Sequence, residues 1–317
     1  MKSRMLFRRL GVSAGLILMI TVGWVGYQLL SKQELTASLR EELGGSYVKL
    51  AEGTVHYQLS GPAEGEPVVL IHGFSVPAYV WEATVPALTG EGYRVLQYDL
   101  WGRGRSDRPK TAYDLALFTA QLDQLWQLLE LNGPAHLVGL SMGGPIAARY
   151  AADHPDRVLT VTLIAPEAGR TTVQTIFPLN LPGVGELVMT AYLEPILLPS
   201  LQEQDFHVPA RFPDWETRYR EQIGYRGFGP ALLSTIRHLP EVDPAREYRQ
   251  LSKQGIPVLL IWGEEDQTFS RADMLEVQRA LSQVSFQPIP DAGHLPHLER
   301  PEVVNARLLN FLSSHGE

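Results

Sequence analysis

A serine stands between two glycines in Gly139-Leu140-Ser141-Met142-Gly143, after an apolar run and before a helical pattern. On a sharp strand-to-helix turn the hydroxyl is lifted out of the backbone, and the flanking glycines let strand and helix approach closely. A helix N-terminus at that point favours developing negative charge through its dipole and free N–H groups. The competing reading is a glycine-rich turn with an incidental serine. It gives no reason for the strand before Ser141 or the helix after it.

A serine hydroxyl is a weak nucleophile near neutral pH and needs a general base that is itself held in orientation. Downstream, the apolar run Val258 to Trp262 enters the acidic turn Gly263-Glu264-Glu265-Asp266. Sheets of alternating strands and helices place reacting groups in such turns, after the C-terminal ends of strands. Asp266 is the expected acid. Glu264 and Glu265 are nearby substitutes that read more simply as solvated carboxylates. Asp291-Ala292-Gly293-His294 follows the last strand, and Gly293 permits a tight turn, so His294 is the expected base. His297, three residues on, is the alternative base. The remaining histidines (His56, His136, His154, His207, His238 and His315) read as structural or surface residues. Acyl transfer also needs N–H donors for an oxyanion. One is the backbone N–H of Met142. The second is expected in the loop Ile71-His72-Gly73-Phe74, at Phe74 N–H, with His72 bracing that loop.

Elements that would hold these groups alternate along the chain. Strand-like stretches lie at 54–59, 68–71, 93–98, 135–140, 158–164, 257–262 and 284–289, with helical ones at 79–88, 115–131, 143–152, 271–281 and 301–312. The helix over 115–131 carries apolar residues at helical spacing (Leu115, Phe118, Leu122, Leu125, Trp126, Leu129) and closes at Asn132-Gly133. Short apolar runs alternating with amphipathic helices imply an α/β fold, a mostly parallel sheet covered on both faces. The stretch 167–240 breaks the rhythm: it has no convincing strand and prolines recur from Pro178 to Pro230. A structureless loop of that length is foreign to a compact domain. It reads as a helical lid inserted into a core of 46–166 and 241–317.

The N-terminus is separate. Residues 1–9 carry Lys2, Arg4, Arg8 and Arg9, and residues 10–31 are a run of 22 without a charge. As a helix rising ~1.5 Å per residue that run covers about 33 Å, enough for a ~30 Å hydrocarbon core. Trp24 and Tyr27 sit near its far end, where amphipathic rings favour the headgroup region. An uncleaved single-span anchor follows, with the basic tail cytoplasmic, residues 32–45 as a polar stalk, and the catalytic domain on the other side, the periplasm in a Gram-negative source. The alternative is secretion after signal cleavage, although the run is longer than the usual ~7–15 residues and ends without an A-x-A site.

The assembled motifs resemble the α/β-hydrolase superfamily: His72-Gly73-Phe74, Asp99-Leu100-Trp101-Gly102-Arg103-Gly104-Arg105-Ser106-Asp107, Gly139–Gly144, Trp262–Asp266 and Gly293-His294, in that order. Within it the chain is similar to the capped esterase and lipase group that includes membrane-anchored monoacylglycerol lipases. The resemblance implies an eight-stranded core, a helical cap after the sixth strand, a Ser141–His294–Asp266 triad, oxyanion donors Phe74 and Met142, and no cofactor or metal. Ser141 departs from the aspartate nucleophile of haloalkane dehalogenases and epoxide hydrolases. Leu140 and Leu295 replace the Asn and Trp of meta-cleavage hydrolases, and Met142 replaces the bulky Trp of proline iminopeptidases.

Composition narrows the partners. The 317 residues hold 27 Lys and Arg against 35 Asp and Glu, a net charge of −8, which argues against nucleic acid. Cysteine is absent, which excludes thiolate catalysis, disulfides and cysteine metal sites. Between Thr171 and Leu201 only Glu186 and Glu194 are charged, so the lid points to an apolar acyl chain, whether its residues line a pocket or touch a bilayer. The sequence therefore reads as a hydrolase of small-molecule or lipid esters. An amidase or carbon–carbon hydrolase with the same triad, or a non-catalytic scaffold binding an apolar ligand, is the alternative.

Overall fold

The structure is a computed structural model, which describes residues 19–131 and 133–316. Eight strands form one sheet: β1 (Ser46–Lys49), β2 (Thr54–Ser60), β3 (Pro67–Ile71), β4 (Arg94–Tyr98), β5 (Ala135–Leu140), β6 (Val158–Ile164), β7 (Val258–Gly263) and β8 (Val284–Ile289). Their order is β1-β2-β4-β3-β5-β6-β7-β8. β1 and β2 pair antiparallel, β2 meets β4 antiparallel, and the pairs from β4 through β8 are parallel. β3, β5 and β7 are buried along their whole length. Helices cover both faces, so a continuous apolar run rather than an alternating one forms each inner strand. From β3 the chain passes to β4 on one side and then to β5 on the other. The loops after β3 and β5 therefore diverge from neighbouring strand ends, the place where such sheets hold ligands.

Several elements differ from the expectation. The stretch 79–88 splits into a 3₁₀ turn, Ala78–Trp81, and a helix, Val85–Gly90, because Pro86 serves best in a first helical turn. The helix after Asp114 ends at Leu128. β1 and the helix Pro244–Ser252 were not legible: the strand is only four residues long, and the helix shows four buried side chains, Pro244, Glu247, Tyr248 and Leu251. Between β6 and β7 the chain is helical, with Val184–Val188, a π-helix over Met189–Leu197 that contains Pro195, Leu198–Leu201, Trp215–Ile223 and Phe228–His238.

Residues 10–18 of the expected span lie outside the described residues. The described remainder is a helix, Met19–Leu30, that exposes Met19, Ile20, Val22 and Leu30. The segment expected as a stalk is docked. It forms the helix Ala37–Leu43, Arg40 pairs with Asp107, and Gln33 exchanges backbone hydrogen bonds with Gly224 and Arg226 (2.8 and 2.7 Å). Trp24 Nε1 donates to Ala191 O at 2.8 Å. Lys32 and Glu194 form an ion pair with both side chains buried, and Glu194 also accepts from Gly229 N at 3.0 Å. Removing one partner of a buried pair leaves a desolvated charge without compensation. Lys32→Ala in the full chain should therefore lose about 3 kcal/mol in urea unfolding, and Lys32→Met with Glu194→Gln should recover most of it. Equal stability of the single variant and the wild type would remove the clasp from the account.

Candidate active site

The turn after β5 is strained where Ser141 sits. Ser141 has φ of 51°, in the left-handed region that only glycine enters freely. Its backbone is held on both sides: Ser141 N donates to Ile164 O at 3.0 Å, and Ser141 O accepts from Gly144 N and Glu167 N, both at 2.9 Å. The motif glycines are required by close approach. A Cβ on Gly139 would lie 2.3 Å from Gly143 O, and one on Gly143 would lie 2.3 Å from Ile71 O. The helix Gly143–Asp153 starts directly beneath the serine.

The loop after β3 runs against this turn, with a Cβ built on Gly73 falling 3.1 Å from Ser141 Cβ. None of the hydrogen bonds among the described residues uses the N–H of Phe74 or of Met142. Both donors are thus unspent beside the hydroxyl, as an oxyanion requires. His72 braces the loop: it is fully buried, its Nδ1 lies 2.9 Å from Gly73 O, and its Nε2 accepts from Leu100 N at 2.9 Å. Burial lowers its pKa to about 4, so it is neutral and able to accept.

β7 and β8 end at the same edge of the parallel sheet. Asp266 and His294 follow them, both buried, with His294 Nδ1 2.9 Å from Asp266 Oδ2. The other carboxylate oxygen, Oδ1, accepts from Thr268 N (2.7 Å) and Phe269 N (3.0 Å). The structure thus brings the expected acid and the expected base together. A hydrogen bond from Ser141 Oγ to His294 is not among those of the described residues, a contact commonly loose until substrate closes the site. Glu264 and Glu265 are exposed in the turn, as solvated carboxylates are. His297 is fully buried, places Nε2 3.1 Å from Val80 O and packs on the Trp81 ring; burial lowers its pKa to about 3. Unlike His294 it has no carboxylate partner among the described residues.

Two acids here carry no sequence signal. Glu299 is buried and accepts three backbone N–H bonds: Gly293 N (2.6 Å), His207 N (3.0 Å) and Val208 N (2.9 Å). It staples the histidine loop to the helical insertion. Asp205, on that insertion, has a pKa raised to about 6, by burial first and also by the charge of Asp266, while His294 opposes the rise.

The family model described as the alpha/beta hydrolase fold matches residues 66–301, three quarters of the chain. The chain belongs to the α/β-hydrolase fold family. The chain is 28% identical to the monoacylglycerol lipase ABHD6 of Bos taurus, covering 84% of this chain and 82% of that one. It is 27% identical to a non-heme chloroperoxidase of Streptomyces lividans, covering 84% and 99% respectively. Among solved structures, an esterase of Thermogutta terrifontis superposes with a TM-score of 0.74 at 25% identity, covering 86% of this chain and all of that one.

The hydrolase has one titration that its chemistry can report. Burial pulls the His294 pKa down, but the hydrogen bond and charge of Asp266, with the charge of Asp205, outweigh it and raise the pKa. If His294 is the base, it must be neutral to accept a proton, and the acid limb of kcat/KM should lie above the ordinary value of about 6.5. Asp205→Asn removes one raising charge and should move that limb down. A limb at or below the ordinary value in the wild-type profile would contradict this assignment.

Proposed function

We propose that this hydrolase cleaves carboxylic esters bearing an apolar acyl chain, by way of an acyl-enzyme on Ser141. The carrying observation is the strained Ser141 beside two unspent N–H donors, with His294 and Asp266 hydrogen-bonded at the same edge of the sheet. Ser141 Oγ bonds to the ester carbonyl carbon while its proton passes to His294 Nε2. The carbonyl oxygen takes the negative charge and is met by Phe74 N–H and Met142 N–H. The C–O bond breaks, and the alcohol leaves with the proton from His294. A water molecule then gives a proton to His294, attacks the acyl carbon, and frees the acid as the proton returns to Ser141.

The acyl preference rests on the helical insertion, whose exposed Phe177, Leu187, Tyr192 and Ile196 are apolar, and on relatives named as lipases. The apolar run 10–31 makes the chain membrane-tethered in this reading, with the N-terminus cytoplasmic and the catalytic domain across the membrane.

The test is a hydrolysis panel on the full chain in detergent: p-nitrophenyl esters from acetate to palmitate and a monoacylglycerol, with Ser141→Ala as control. Serine-dependent turnover with an optimum beyond acetate is expected. Turnover of amides but not esters would overturn the substrate class. Neither turnover nor labelling of Ser141 by a fluorophosphonate would overturn the enzyme.

A further inference from the structure

Arg103 is a cation with no carboxylate partner. Its side chain is fully buried, and none of the ion pairs among the described residues includes it. Its three hydrogen bonds go to neutral acceptors: Nε to Phe74 O (2.8 Å), Nη1 to Trp101 O (3.0 Å) and Nη2 to Thr235 Oγ1 (2.9 Å). Three rings surround the guanidinium, with centroids at 5.3 Å (Phe118), 5.6 Å (Phe74) and 5.9 Å (Tyr113). Burial lowers its pKa to about 9, which leaves it charged at neutral pH.

Burying a charge without an opposite charge is costly, and an apolar side chain of similar volume is usually tolerated better at such a position. The three hydrogen bonds of Arg103 offset part of that cost and tie the loop after β3 to the helical insertion through Thr235. Its position offers another reason. Phe74 carries one of the two unspent N–H groups, and Arg103 grips the carbonyl of that same residue. Tyr113, Phe118 and Thr235, all around the guanidinium, line one cavity of about 20 Å³ together with Met142, the residue carrying the second N–H. The positive charge also reaches His72 in the same loop, where it adds to the lowering of that pKa.

We infer that Arg103 is the positioning residue of the oxyanion loop, holding Phe74 so that its N–H faces the site and placing an unneutralised positive charge behind the developing oxyanion. The inference rests on the acyl-transfer reading above. It predicts that Arg103 acts on the charged transition state and leaves the binding of neutral substrate alone.

The experiment compares the wild type with Arg103→Met and Arg103→Lys, all as the full chain in detergent. It measures kcat and KM on p-nitrophenyl butyrate, inhibition by butylboronic acid, which forms an anionic tetrahedral adduct on the serine, and inhibition by the uncharged butyl p-nitrophenyl ether. Arg103→Met should lower kcat by about 10²-fold, as loss of oxyanion support does, with KM nearly unchanged. Boronate affinity should fall in step with kcat, ether affinity should hold, and Arg103→Lys should recover part of both losses by restoring the charge. If Arg103→Met does not fold, the lysine variant alone must show the same split between boronate and ether. Wild-type kcat and boronate affinity in a folded variant, or equal losses for boronate and ether, would overturn the inference. Failure of the wild type to label with fluorophosphonate would instead overturn the acyl-transfer reading.

Discussion

Ser141→Ala is expected to lower kcat by on the order of 10³-fold or more, with the protein as stable as the wild type. Alanine keeps the Cβ, and the backbone at φ of 51° is held by hydrogen bonds from Gly144 N and Glu167 N and to Ile164 O, which the substitution does not touch. Only the Oγ is lost. Residual turnover above the uncatalysed rate should persist, because Phe74 and Met142 still offer N–H groups to a bound ester. Fluorophosphonate labelling should vanish with the hydroxyl. The measurement is single-substrate kinetics on p-nitrophenyl butyrate with urea unfolding in parallel. A variant with wild-type kcat would place the nucleophile elsewhere.

Asp266→Asn should cost roughly 10³- to 10⁴-fold in kcat while leaving KM little changed, for a reason readable in the hydrogen bonds. Oδ1 of Asp266 accepts from two backbone N–H groups, Thr268 and Phe269, so the asparagine carbonyl oxygen belongs there. The amide nitrogen must then face His294 Nδ1, where the carboxylate oxygen now stands at 2.9 Å. An amide N–H donates, so Nδ1 must accept, and the histidine proton moves to Nε2. The nitrogen that should take the serine proton is then already protonated. The variant also loses the charge that raises the His294 pKa, so the acid limb of its residual activity should fall. A modest loss of activity with an unmoved limb would show that Asp266 does not set the tautomer.

Much of the scaffold was legible because its signals are local. An apolar run, a turn glycine and an amphipathic helix each occupy a few consecutive residues, so the strands from 54 to 289 could be located one at a time. The turn around Ser141 was readable for the same reason. Elements with weak local contrast were not. β1 is short, and the helix Pro244–Ser252 is mostly polar and is held by packing on the helix Gly143–Asp153. The supposed stalk looked solvated because its charges are polar in composition; their partners, Asp107 and Glu194, lie far along the chain.

By itself the sequence determined the residue types able to do chemistry, their order along the chain, and the strand ends that carry them. Tertiary structure alone decided which groups meet. Glu299 reaches His207 across 92 residues, Arg103 reaches Thr235 across 132, and Asp205 comes to act on His294 from the helical insertion. Charge and hydrogen bonding act through space over a few ångströms, and chain separation says nothing of that distance until the sheet order and the packing of the insertion have set it.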